Sequence, residues 1–293
     1  MNDLITIEFT ADKYLKKDAD IVVQTLPKSF ELFFDLSQKN YQTIHGLLKQ
    51  GYLYESDVSG FMTRIVHEGD VLVDVGANIG FYSMLLSALT GNSGRVVSFE
   101  PGEKNVVAIF ENIEINQFKN IDVRKKLVGH LAGMSAYYHF DVKDTGCSYA
   151  VEDISESKDS FERKSLCTLD DELTSLAEIK LVKIDVEGFE VNVLKGAFNL
   201  LSSNRVRYWI VEYAPQTYAL NGYTLETLRE YMSQFGLEMF ILDYQRGFPK
   251  FYPRNLSIGG KWIINLLFAK MGDLELDWIY DDTSRMCSPP QNW

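Results

Sequence analysis

The stretch "VLVDVGANIGFYS", residues 71–83, decides the fold. Its first five residues are apolar or β-branched around a single acid, Asp74, which is the composition of a short buried strand. Gly76 and Gly80 then bracket a turn, and residues 81–89 continue with helical apolar spacing. Strand, glycine turn and helix in that order make the first βα step of a parallel sheet. Gly76 suits a tight turn with positive φ, and Gly80 suits close packing of helix on sheet. A dinucleotide fingerprint places another glycine between two such residues to clear room for a pyrophosphate. Here Ala77, Asn78 and Ile79 intervene, and Asn78 fills that room. Asp74 adds a negative charge that would repel a phosphate and suit a cationic ligand.

The same rhythm runs on downstream. "RVVSFE" (95–100) is the second strand, 106–116 a helix, and "IDVRKKLV" (121–128) the third strand. Residues 129–165, rich in Ser, Asp and Glu, read as an inserted hairpin or loop carrying the strand "YYHFDV" (137–142). "TLDDEL" (168–173) starts a short helix, with Thr168 as cap and Asp171 at its third position. "IKLVKID" (179–185) is the fourth strand, 191–201 a helix and "VRYWIVEY" (206–213) the fifth strand. An amphipathic helix over 224–235 ends at Gly236, and "LEMFILD" and "KWIINLLF" are the last two strands. Upstream, residues 1–69 form a leader that serves as a lid, substrate-binding or oligomer region. "LITIEF" (4–9) reads as a strand. Residues 29–50 have helical spacing through Phe30, Phe33, Phe34, Leu36, Ile44, Leu47 and Leu48, with Gly51 as the stop. The main domain spans 70–281 with its insert at about 129–165, and 282–293 is a loose tail.

The 293 residues suffice for one large α/β domain, and 46% hydrophobic with 24% charged residues excludes a disordered or collagen-like chain. A balance of 29 basic against 41 acidic residues, net −12, lacks the basic field that collects nucleic-acid phosphates. Three scattered cysteines and four histidines make neither a disulfide framework nor a zinc site. The N-terminus lacks a signal-peptide core and no apolar run reaches membrane-spanning length, so the expected location is cytoplasmic.

In a doubly wound sheet, ligands bind at the carboxyl ends of the strands. Glu100 stands there, twenty positions after Gly80, where a carboxylate accepts both hydroxyls of a ribose. A sugar-binding acid, an acidic glycine turn and no phosphate niche together describe S-adenosylmethionine.

"DVGANIGFYS", "FEP" followed by Asn112 and Asn116, "TLDDEL" and "KIDVEGFEVNVLKGA" resemble the FkbM family of methyltransferases over residues 55–212. The resemblance implies a class I methyltransferase fold. That fold is a Rossmann-like doubly wound α/β sheet of seven strands, mostly parallel with an antiparallel last strand. It implies methyl transfer from S-adenosylmethionine, mostly to hydroxyls of sugars or natural products and in some members to a peptide amide nitrogen. Carried over, Asp74, Gly76, Ala77, Asn78 and Gly80 surround the methionine arm. Glu100, followed by Pro101, takes the ribose. Residues 126–128, with Lys126 and Leu127, flank the adenine, and Asp185 and Glu187 face the methyl donor and acceptor. Two positions depart from the family pattern: His130 replaces a frequent Asp, and Ala214 in "EYAP" replaces a frequent His.

Methyl transfer from a sulfonium is an in-line displacement, so the protein's work is alignment, exclusion of water and a general base. Asp185 is the first candidate base, and binding the cofactor's amino group is its competing role. Glu187 shares its face if the strand continues, and Glu212, ending the fifth strand, is a third candidate. These three acids offer hard oxygens suited to Mg²⁺, yet a sulfonium needs no ion to explain them. Glu190 reads as a helix-start acid, and Lys183 pairs with a nearby carboxylate. Tyr54 beside Glu55, and Tyr138 in the insert, supply rings and a carboxylate to an acceptor pocket, with Tyr52 and Tyr137 as their neighbours. The expected function is O-methylation of a small-molecule or glycan acceptor. N-methylation of a peptide amide is the alternative, and a non-catalytic binder is opposed by Asp74, Glu100 and Asp185. An exposed leader helix would allow a homodimer.

Overall fold

Leu72, Leu181 and Ile210 pack on one side of a large sheet, while Val73, Val75, Val182, Ile184 and Val211 pack on the other. Strands buried on both faces need this alternation, and it accounts for their near-continuous apolar runs. The computed structural model describes residues 2–17, 20–141, 147–153, 161–243, 249–252 and 263–277. The leader comprises β1 (Asn2–Lys17), β2 (Asp20–Asp35), α1 (Lys39–Lys49) and α2 (Ser56–Ile65). The first half of the sheet follows as β3 (Val71–Val75), α3 (Phe81–Thr90), β4 (Arg95–Phe99), α4 (Glu103–Asn116) and β5 (Ile121–Arg124). A small sheet uses β6 (Leu127–Val128), β7 (Ser135–His139), β8 (Tyr149–Val151) and β9 (Phe161–Cys167). Then come α5 (Leu169–Glu172), β10 (Ile179–Ile184), α6 (Glu190–Lys195), α7 (Phe198–Ser202) and β11 (Val206–Tyr213). The chain continues with α8 (Pro215–Leu220), α9 (Leu225–Ser233), β12 (Glu238–Leu242), β13 (Pro249–Phe251), β14 (Ile264–Ala269) and α10 (Met271–Asp277).

The large sheet has the order β13-β12-β14-β11-β10-β3-β4-β5. Neighbours from β11 to β5 are parallel, and β14 runs antiparallel between β11 and β12. This is the doubly wound α/β sheet with an antiparallel last strand that the class I resemblance implies. The short edge strand β13 brings the seven expected strands to eight. Strand order reverses between β3 and β10, and the crevice at such a switch point is where open α/β sheets bind ligands. Among the described residues, no helix is long and apolar enough to cross a membrane.

Three local expectations are corrected, and the expected hairpin of the insert (β7 against β8) is extended. Residues 29–35 are strand, not helix: Phe30, Leu32 and Phe34 are buried and lie opposite Ile7, Ile5 and Asp3 of β1. Phe33 fell into a helical count by chance, whereas the buried set has a period of two. Residues 121–128 are two strands in two sheets, because the chain turns at Lys125 and Lys126. Residues 191–201 form two short helices broken at Gly196, whose absent Cβ lets the Gly129 carbonyl approach to 2.0 Å of where it would stand. The insert, where described, is an ordered sheet in the order β6-β9-β7-β8 around Leu127, Ala136, Tyr138, Leu166 and Phe189. The tail 282–293 lies outside the described residues.

The leader hairpin is fastened to α4 by two asparagines. Phe33 N donates to Asn112 Oδ1 (2.7 Å) and Glu31 N to Asn116 Oδ1 (2.6 Å), while Asn116 Nδ2 donates to the Glu31 carbonyl (2.7 Å). Asn116 thus satisfies both backbone groups of Glu31 on β2, as a neighbouring strand would. Asn112 Nδ2 also donates to the Ile79 carbonyl (3.0 Å), linking the hairpin to the glycine turn.

Candidate active site

The carboxyl ends of β3, β4, β10 and β11 open into a cavity of about 340 Å³, a size suited to a small molecule. Its wall contains Gly76 and Asn78, Glu100 and Pro101, Lys126 and Leu127, and Asp185, Glu187 and Glu212. Tyr54 of the leader and Tyr138 of the small sheet complete it. Chain segments far apart in sequence therefore meet in one cavity.

The turn after β3 is built by backbone ties. Gly76 N and Ala77 N both donate to the Phe99 carbonyl (2.9 and 3.0 Å), and Asp185 N donates to the Val75 carbonyl (3.0 Å). Gly76 has φ +85°, and a Cβ there would stand 1.8 Å from the Asp185 carbonyl oxygen. Only glycine allows that approach. Asn78 is also left-handed, φ +51°, and its N–H donates to Glu100 Oε2 (2.9 Å). Gly102 N (2.8 Å) and Asn105 Nδ2 (3.1 Å) donate to Glu100 Oε1. Burial raises the Glu100 carboxyl to about 7 against these three donors. A carboxylate offers about four acceptor positions, so room for a hydroxyl donor remains. Asn105 also accepts from the Tyr41 hydroxyl (3.2 Å), which ties α1 to Glu100. Asn105 escaped the sequence reading, although an amide one turn into the helix after a strand-end acid is a visible signal.

Three predicted cofactor residues do not line the cavity. Asp74 is 1% exposed; its Oδ2 accepts from Ser83 Oγ (2.7 Å), which itself contacts Ser98 Oγ. It fastens the start of α3 to the sheet. Burial raises its carboxyl, opposed by Lys183 and Ser83. Ala77 is buried, and Gly80 packs on Ile109. Tyr52 is 62% exposed, and neither it nor Tyr137 reaches the cavity. Strand alternation explains the second case, since Tyr138 occupies the inward position of β7.

At the other end stand the acids. Ligand oxygens of Glu55, Asp185 and Glu212 lie within 4.8 Å of one another. Glu55 precedes α2 with φ +43° and accepts a short hydrogen bond from the Tyr82 hydroxyl. Lys183 is 1% exposed, its Nζ 2.7 Å from Asp185 Oδ2 and 4.5 Å from the Tyr82 ring centre. Burial alone would lower the Lys183 ammonium, but Asp185, Glu55 and Asp74 outweigh it and hold the group above its ordinary value. Burial, with Asp185, Glu187 and Glu55 around it, pushes Glu212 well above the carboxylate range. Burial also raises Glu55, with Lys183 opposing. Glu187 (φ +54°) and Gly188 (φ +97°) form a left-handed turn closed by Glu190, whose Oε1 accepts from Val186 N (2.9 Å) and Gly188 N (3.1 Å). Glu190 is wholly buried and shapes the loop. His130 faces Glu152 at 3.2 Å and does not line the cavity.

The family model described as "Methyltransferase FkbM domain" matches residues 74–239, more than half of the chain. Hexuronic acid methyltransferase AglP of Haloferax volcanii is 30% identical over 161 residues, which are 54% of this chain and 62% of that protein. The chain thus spans less than two thirds of that relative's length. Among solved structures, an FkbM methyltransferase from Methylobacillus flagellatus matches with TM-score 0.44 and 17% identity, over 81% of this chain and 56% of that one. A protein from Streptococcus mutans described as a putative methyltransferase, solved with S-adenosylhomocysteine, matches with TM-score 0.41 and 10% identity, over 74% of this chain and 98% of that one. By the match across residues 74–239, the chain belongs to the FkbM methyltransferase domain family.

Proposed function

We propose that the protein is an S-adenosylmethionine-dependent methyltransferase acting on a hydroxyl of a sugar or related polyhydroxylated acceptor. The observation that carries this reading is the division of one cavity into two chemistries. At one end a buried carboxylate, Glu100, sits beside the glycine turn, where Asn78 lines the cavity in place of the middle glycine of a dinucleotide fingerprint. At the other, Asp185, Glu187 and Glu212 face the space where a sulfonium methyl would meet its acceptor. A ribose hydroxyl would donate to Glu100, the adenine would lie against Leu127 and Pro101, and the methionine arm would pass Gly76 and Asn78. The acceptor oxygen attacks the methyl carbon, the carbon–sulfur bond breaks, sulfur leaves as a neutral thioether, and the hydroxyl proton passes to one of the cluster carboxylates. Carboxylates around a developing positive centre favour that path electrostatically. The relative acting on hexuronic acid supports a sugar acceptor.

Calorimetry with S-adenosylhomocysteine and with NAD tests the reading. Micromolar-range binding of the adenosyl ligand and none of NAD is expected, with weaker adenosyl binding in Glu100→Ala. NAD binding without adenosyl binding would refute it.

A further inference from the structure

We infer that Glu55, Asp185 and Glu212 bind one divalent cation of the hard, oxygen-seeking class at the acceptor end of the cavity. Their ligand oxygens lie within 4.8 Å of one another. Two oxygens on opposite sides of a cation are separated by twice the metal–oxygen distance, about 4.1 Å for Mg²⁺ and about 4.6–5.2 Å for Ca²⁺. Mutual separations of no more than 4.8 Å are thus of the span that oxygens sharing one hard cation show.

A second observation concerns Glu212 alone. It is 6% exposed, lines the cavity, and its buried Oε2 has no hydrogen-bond partner among the described residues. A buried carboxylate oxygen without a donor is costly, and such an atom calls for a missing partner. Lys183, the buried cation of the cluster, does not supply it: its Nζ donates to Asp185 Oδ2 at 2.7 Å and makes no hydrogen bond to Glu212 Oε2. The Tyr82 hydroxyl engages one oxygen of Glu55 and Lys183 one oxygen of Asp185, so each side chain keeps a second oxygen for an ion.

The ligands come from three elements: the residue before α2, the end of β10 and the end of β11. Glu55 is held in a left-handed conformation that few residues other than glycine adopt; its neighbour Tyr54 lines the cavity, whereas Glu55 itself lies outside the lining, against Asp185 and Glu212. Bound there, the cation would orient the acceptor hydroxyl and lower its pKa, leaving Glu187 on the same wall as a carboxylate outside the ligand set. That role rests on the proposed methyl transfer, whereas the binding itself does not.

Mn²⁺ titrated into the full chain, with free ion followed by EPR, reads binding without cofactor or turnover. One ion per chain is expected, bound at least about ten-fold more weakly in Glu212→Gln and in Glu55→Gln, and unchanged in Glu230→Gln on α9. Circular dichroism checks that each variant is folded, and either of the two ligand variants suffices. Failure to bind tighter than about 1 mM, or undiminished binding in a folded ligand variant, overturns the site. S-adenosylhomocysteine binding is measured on the same samples. Intact cofactor binding without Mn²⁺ binding sinks only the cation site, and the converse sinks only the methyltransferase reading.

Discussion

Lys183 Nζ lies 2.7 Å from Asp185 Oδ2, a buried cation held against the strand-end carboxylate two residues further on. On the adjacent strand β3, Lys183 is registered opposite Asp74. One ammonium thus offsets several acids that the cavity and the sheet bring together. It places a fixed positive charge beneath the acid-lined end of the cavity, into whose wall Asp185 enters.

Lys183→Met removes that charge and leaves Asp185, Asp74 and Glu55 without it. A loss of about 3–5 kcal/mol in unfolding free energy is expected, as for other broken buried pairs. Adding Asp185→Asn to Lys183→Met should recover part of the loss. Denaturant unfolding of the two single variants and the double variant measures the coupling, and simple additivity would refute it.

Gly76→Ala forces a Cβ to within 1.8 Å of the Asp185 carbonyl oxygen at φ +85°. The turn must move, with loss of S-adenosylhomocysteine binding and a stability cost above the about 1–2 kcal/mol of left-handed strain alone. Gly133→Ala is the comparison: φ is +80° there but nothing lies within 4 Å, so only the strain should appear.

Glu100 carries a pH signature. Its carboxyl stands at about 7 in the fold against an ordinary 4.5, because it is buried. The folded chain therefore binds the proton more tightly than the unfolded one. Stability on this account falls as pH rises from about 4.5 to about 7 and is level on either side. Glu100→Gln should make that segment of the stability profile less steep, the remainder belonging in part to Glu190, which burial also raises to about 7. If a ribose hydroxyl donates to the carboxylate, affinity for S-adenosylhomocysteine should rise about ten-fold from pH 6 to pH 8, the ratio of ionised fractions for a group near 7. An unchanged affinity would remove Glu100 from the ribose.

Asn112 and Asn116 hold the leader hairpin to α4. Asn116→Leu leaves both backbone groups of Glu31 without their partner, at a cost of about 1–3 kcal/mol each if they stay buried. Hydrogen exchange at Glu31 and Phe33 should accelerate before exchange in β3 or β10 does. Uniform acceleration across the chain would mean that the hairpin does not open as a separate unit.

Asp185→Asn should lower turnover while leaving S-adenosylhomocysteine affinity within a few-fold. A large loss of cofactor affinity with preserved turnover would assign Asp185 to the methionine amino group. Single-turnover kinetics beside calorimetry separates the two.

Residues 71–83 sufficed for the first βα step, because alternation and glycine placement act within a few residues through steric and burial effects. Glu100 was legible for the same reason: a strand end in a parallel sheet has a known relation to its neighbour. The sequence also carried Thr168 as a cap, whose Oγ1 accepts from Asp171 N at 3.2 Å. Phe30, Phe33 and Phe34 misled, because helix and strand periods coincide over so short a run and only the packing of β2 on α3 and α4 chose between them. Asp74 looked like a cavity acid, yet the parity of β3 sends its side chain toward Ser83. The meeting of Glu55 with Asp185 and Glu212, and of Tyr41 with the Asn105 that holds Glu100, was left to tertiary structure. Local pattern fixes the conformation of a segment, whereas contacts between distant segments depend on how buried faces stack, and no short window of sequence contains that information.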